Sequence, residues 1–127
     1  MKRAFQTTLV LVAFIPCVLG AMSLIYGAER LMPSELINAN LDGQVRFWGI
    51  RSMLPFFLTL WIVTNLDKAY SVLVIVIAAT AAGALARLGA IYQYGAPDPA
   101  LLGIIAFELA VLLFIPWYNR LDKQDLT

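Results

Sequence analysis

Apolar residues in this chain are gathered into four long blocks separated by short polar stretches. The blocks run from about Phe5 to Tyr26, Phe47 to Leu66, Ala69 to Ile91 and Leu101 to Tyr118. At about 1.5 Å of rise per residue, each reaches across roughly 30 Å of hydrocarbon, the fourth with least to spare. Backbone groups in lipid find no water, so a crossing segment must satisfy its own hydrogen bonds. The blocks therefore predict helices. A membrane β-barrel would need alternating segments of about ten residues, and the chain has none. The pattern predicts an all-α fold, an integral membrane four-helix bundle forming a single transmembrane domain over residues 1–127.

The polar stretches set the connections and the orientation. Pro33-Ser34-Glu35-Leu36-Ile37 opens a short helical element, and Leu31, Leu36, Ile37 and Leu41 give that outer segment an apolar side. Asn65-Leu66-Asp67-Lys68 is a tight turn, and Tyr94-Gly95-Ala96-Pro97-Asp98-Pro99 is a second one punctuated by Gly and Pro. Four crossings place Lys2, Arg3, Lys68, Arg120 and Lys123 on one side. Arg30 and Arg46 fall on the other, in a longer loop with Glu29, Glu35 and Asp42. The excess of basic residues predicts that both termini are cytoplasmic. Trp117 and Tyr118 at one end, and Tyr26, Trp48, Tyr92 and Tyr94 at the other, suit interfacial belts. Pro16, Pro55 and Pro116 lie inside spans, where a tolerated kink is expected. Met1-Lys2-Arg3 before an apolar run also suits a signal peptide. However, Leu19-Gly20-Ala21 and Tyr26-Gly27-Ala28 put a bulky side chain where cleavage needs a small one, so the segment is expected to remain.

Composition agrees with a membrane solvent: 61% of residues are hydrophobic and 13% charged, about half the charge of a soluble domain. A net charge of +1 argues against nucleic acid as a partner. The chain has no His and one Cys, which excludes an internal disulfide and a Cys-based metal cage. Cys17 is expected to pack as a small apolar residue. No cofactor or metal is expected, and no enzymatic activity: Ser23, Ser52 and Ser71 have no base in view.

Arg51, Arg87 and Glu108 depart from the pattern, because each lies inside an apolar block. A charge at the centre of a span costs roughly 2.5–3.5 kcal/mol on insertion scales unless it is paired or hydrated. Arg51 is five residues past Arg46, Arg87 four before Ile91 and Glu108 seven past Leu101. With alternating span directions, all three fall in the outer half of the membrane. Glu108 has no partner one turn away on its own span, so an interhelical pair with Arg87 or Arg51 is the economical solution, and a structural ion pair of Arg87 with Glu108, at similar depth on consecutive spans, is expected. Arg46, Arg51 and Arg87 then outnumber the buried carboxylate, and the surplus marks them as candidates for binding an anionic lipid or another anionic group. Snorkelling to the interface is the expectation for Arg46. In the third block, Ala79, Gly83, Ala86 and Ala90 lie on small-xxx-small spacings that permit close helix packing, within the protomer or between protomers.

Arg46-Phe47-Trp48-Gly49-Ile50-Arg51, Ala86-Arg87-Leu88, Gly95-Ala96-Pro97 and Glu108 together resemble a bacterial family of small four-helix membrane proteins, catalogued as domain of unknown function 4345. The resemblance implies a four-span inner-membrane protein with no assigned reaction, whose polar positions fall here on Arg46, Gly49, Arg87, Pro97 and Glu108. The expectation is a non-enzymatic, multi-pass protein of the bacterial inner membrane. It would form a homo-oligomer, trimer or dimer, in contact with membrane lipids, and support membrane or cell-envelope integrity. The alternative is a small transporter or carrier that binds an anionic lipid or small molecule in an outer-leaflet Arg/Glu cavity.

Overall fold

The computed structural model describes residues 1–95 and 98–126. Ala96 and Pro97 of the expected second turn lie outside the described residues. The described residues form helices and turns only: α1 (Lys2–Tyr26), α2 (Ala39–Thr64), α3 (Tyr70–Tyr94), α4 (Pro99–Ala110), α5 (Phe114–Asn119) and α6 (Lys123–Leu126). Single 3-10 turns cover Gly27–Arg30, Ser34–Leu36 and Val111–Leu113. Four stretches are long and apolar enough to cross a membrane: Lys2–Arg30, Ala39–Thr64, Tyr70–Tyr94 and Pro99–Asn119. The protein is an all-helical, multi-pass membrane protein. Its contacts gather into two compact units, residues 6–64 and residues 1–5 with 65–127.

In the first unit, α1 buries Leu9, Ala13, Cys17 and Gly20, spaced three or four apart on one face. The cysteine is buried as a packing residue. Gly20 sits directly against Gly49 of α2, and a Cβ built on either glycine would meet the other's backbone carbonyl. Glycine is therefore what lets the two backbones touch. Below this crossing, the Gln6 amide donates to the Val63 carbonyl (2.7 Å) and Phe14 meets Phe56 edge-on at 5.7 Å. α1 ends at Gly27, whose φ of +65° is the left-handed conformation that closes helices without a Cβ penalty.

α2 begins at Ala39, eight residues before the expected second span. The reading that put Asp42 and Arg46 in a loop is corrected: both lie on this helix. Asn38 explains the early start, since its side-chain oxygen accepts from the Leu41 N–H (2.9 Å) and so caps the helix. The expected short element is a single 3-10 turn after Pro33.

In the second unit, α3 packs on α4, on the 111–113 turn and on α5. Its buried residues, Leu73, Ile77 and Ala84, form a stripe at helical spacing. The fourth span is not one uninterrupted α-helix. It tightens to a 3-10 turn at Val111–Leu113, whose middle residue is four ahead of Pro116. Proline has no N–H for the Leu112 carbonyl and its ring crowds that turn. Pro16 and Pro55 are absorbed without a break in α1 and α2.

The far end of this unit is an aromatic core. The fully buried Phe5 ring stands edge-on to Phe114, Trp117 and Tyr118, at 5.8, 5.5 and 5.9 Å between centroids. The buried Tyr118 hydroxyl donates to the Leu66 carbonyl in the turn before α3. Tyr118→Phe keeps the ring but removes the donor, so the expected loss of stability is about 1–2 kcal/mol. Equilibrium unfolding in detergent measures it, and a variant as stable as the parent would show that this bond contributes nothing net.

Candidate functional site

Arg46 and Arg51 lie in the first unit, Arg87 and Glu108 in the second. On α3, Arg87 continues the stripe of Leu73, Ile77 and Ala84, which brings it to the α4 side. On α4, Glu108 follows Ile105 by one turn on the buried side. The two meet. The Arg87 Nε donates to Glu108 Oε1 (3.3 Å) and lies 3.3 Å from Oε2. Within this unit the structure brings Arg87 to the carboxylate.

The pair is not the two-pronged fork that Arg and a carboxylate can form. One nitrogen straddles both oxygens, and the buried Oε2 accepts no hydrogen bond among the described residues. The two terminal amino nitrogens of Arg87 have no protein partner there either. Burial is lopsided as well: the Arg87 side chain is 44% exposed and that of Glu108 17%. The carboxylate is the embedded member, and the guanidinium reaches from it towards the surface.

Arg46 lies in the second turn of α2, against the end of α1. Its Nε donates to Asp42 Oδ2 (2.8 Å) one turn back on α2. One terminal nitrogen donates to the Leu24 and Ile25 carbonyls (2.7 and 3.2 Å) at the end of α1. Those carbonyls lack helical partners and carry the negative end of the helix dipole, so a guanidinium there caps α1. Asp42 completes the clasp by accepting from the Ala28 N–H (2.8 Å). Arg30 folds back in a similar way, donating to Ser23 Oγ (2.8 Å) and to the Leu19 carbonyl (3.3 Å). Arg46 thus has its charge and most of its donors committed to the protein, with one terminal nitrogen left over.

Arg51 is the arginine left over. It is exposed, and its only described interaction is with the Phe47 ring one turn back, 6.0 Å from the guanidinium carbon. Four residues on, Pro55 has no N–H to offer the Arg51 carbonyl. A cation without an ion pair among the described residues and a backbone acceptor without its helical donor thus share one residue of an apolar helix.

The small residues Ala79, Gly83, Ala86 and Ala90 are all exposed, and a Cβ built on Gly83 would meet nothing within 4 Å. α3 packs through Leu73, Ile77 and Ala84 and leaves this stripe exposed.

A family model described as domain of unknown function (DUF4345) matches residues 4–118. The chain belongs to this family. The match covers all four candidate spans of this DUF4345 protein almost completely, and it includes Arg46, Arg51, Arg87 and Glu108. No curated protein and no solved structure matches the chain.

Sequence reasoning missed the Gly20–Gly49 crossing, the Arg46–Asp42 clasp and the Phe5 aromatic core. Asn38 ahead of Leu41, with Asp42 and Arg46 one turn apart, was the available signal for the second of these.

Proposed function

We propose that this DUF4345 protein is a non-enzymatic protein of the bacterial inner membrane that supports membrane or envelope integrity by holding anionic lipid headgroups on its span arginines. Arg51 carries the reading. It is an exposed guanidinium within an apolar helix and has no carboxylate partner among the described residues. A cation in that setting needs a counter-charge, and an anionic lipid phosphate is what a bilayer supplies. The unpartnered terminal nitrogens of Arg87 offer a second anchor of the same chemistry. Self-association as a dimer or trimer belongs to the same proposal and is supported by the outward-facing small residues of α3.

Native mass spectrometry from nanodiscs of mixed anionic and zwitterionic lipid tests both parts. Arg51→Ala is expected to lower retention of anionic lipid about fivefold, since one basic residue near an anionic surface contributes about 1 kcal/mol. Its unfolding midpoint should not move. An unchanged lipid complement would refute the headgroup role, and a purely monomeric spectrum would refute the assembly.

A further inference from the structure

A cavity of about 470 Å³ opens between the end of α1 and the first turn of α2. Ile25, Tyr26, Glu29, Ile37, Asn38, Ala39, Asp42 and Arg46 line it. We infer that it is a binding site for the headgroup of an aminophospholipid, with a primary ammonium on Glu29 and the adjoining phosphate on the uncommitted terminal nitrogen of Arg46.

Charge is the first argument. Asp42 and Arg46 neutralise one another across a 2.8 Å ion pair. Both Asp42 oxygens are occupied, one by Arg46 and one by the Ala28 N–H. Glu29 lines the same cavity, is exposed, and has neither an ion pair nor a hydrogen bond among the described residues. The cavity therefore carries one negative charge in excess and attracts a cation. A group carrying only negative charge would face two carboxylates.

Donor chemistry narrows the class. Arg46 spends Nε and one terminal nitrogen on the protein, leaving the other terminal nitrogen for an anionic oxygen. The Asn38 side-chain oxygen is taken by the α2 cap, so its amide nitrogen remains as a second donor. The lining thus offers a carboxylate for a cation, and a guanidinium with an amide for an anion. A zwitterion of ammonium and phosphate matches both. Glu29 accepts hydrogen bonds, so an ammonium that carries hydrogens is preferred over a trimethylated one.

Position supplies the lipid. The cavity sits where the candidate span Lys2–Arg30 ends and the span Ala39–Thr64 begins, which is headgroup level for a helix pair in a bilayer. Ile25 and Ile37 give the lining an apolar part for the glycerol end. A tyrosine at this level suits the interface.

The test uses the full chain in nanodiscs holding phosphatidylethanolamine and phosphatidylcholine with identical acyl chains, read by native mass spectrometry. The expected result is at least about tenfold preferential retention of the ethanolamine lipid, as befits a charge-assisted hydrogen bond. Glu29→Gln should bring the two lipids to parity without shifting the unfolding midpoint. Arg51→Ala should leave the preference in place, which separates this site from the anionic-lipid reading. Equal retention of both lipids by the parent protein, or an undiminished preference in Glu29→Gln, would overturn the proposal. So would soluble glycerophosphoethanolamine binding as tightly as the lipid, because the site would then serve a small solute.

Discussion

Gly49→Ala is expected to destabilise the α1–α2 unit by about 3 kcal/mol, the upper end of the usual overpacking range. The added Cβ would stand 2.5 Å from the Gly20 carbonyl oxygen, 3.0 Å from the Leu24 nitrogen and 3.2 Å from the Ser23 Cβ. Two of these are backbone atoms, so no side-chain rotation relieves the clash and the helices must separate. Separation weakens what surrounds the crossing, including the Arg46 bonds to the Leu24 and Ile25 carbonyls above it. Gly20→Ala should behave alike, since its Cβ would meet the Gly49 carbonyl and come within 3.0 Å of the Ser52 Cβ. Gly43 is the internal control. It lies on the same helix, and a Cβ there meets nothing within 4 Å. Gly43→Ala should therefore stabilise by roughly 0.5–1 kcal/mol through helix propensity alone. Equilibrium unfolding of the three variants in detergent decides the matter. Equal stability of Gly49→Ala and Gly43→Ala would mean that the backbones do not touch.

Arg87→Ala should be much more damaging than Glu108→Ala. Removing the arginine leaves a carboxylate that is 17% exposed, embedded in an apolar helix and without its counter-charge. Stranding a buried charge costs about 3 kcal/mol or more. Removing the carboxylate leaves a guanidinium that is already 44% exposed. That side chain can extend to the interface on its long stem, so the expected cost is about 1 kcal/mol, the net worth of one ordinary hydrogen bond. The double variant Arg87→Ala/Glu108→Ala should then be more stable than Arg87→Ala alone, because no charge remains to strand. Stability measurements on this set of four proteins give the coupling directly. Single substitutions of equal cost, or a double variant that is simply additive, would show the pair to be incidental.

Hydrocarbon imposes a length and a polarity on whatever crosses it, which is why the four spans could be read from residue order alone. The same constraint made Glu108 legible. A charge inside a span has few possible partners, and Arg87 was one of two. The start of α2 was not legible in this way. Ala39 to Gln44 is polar enough to end the hydrophobic block, yet the helix continues through it, because a cap and an i,i+4 ion pair hold a helix without any need for apolar residues. The neighbours of Arg46 were hidden as a result, since a residue assigned to a loop has no defined neighbours.

What residue order determined about this protein is the number of spans, their approximate limits and which charges would need an answer within the membrane. Only tertiary structure decided which of them were answered. It committed Arg46 to the end of α1, paired Arg87 with Glu108 and left Arg51 without a counter-charge among the described residues. It also decided where the backbones approach each other. Small-residue spacing on α3 recorded a capacity for close packing, but that stripe faces outward, while Gly20 and Gly49, far apart in sequence, form the contact. A span is a property of one segment and its solvent. A partner is a property of two segments, and their meeting depends on how helices rotate and tilt as they pack, which no single segment encodes.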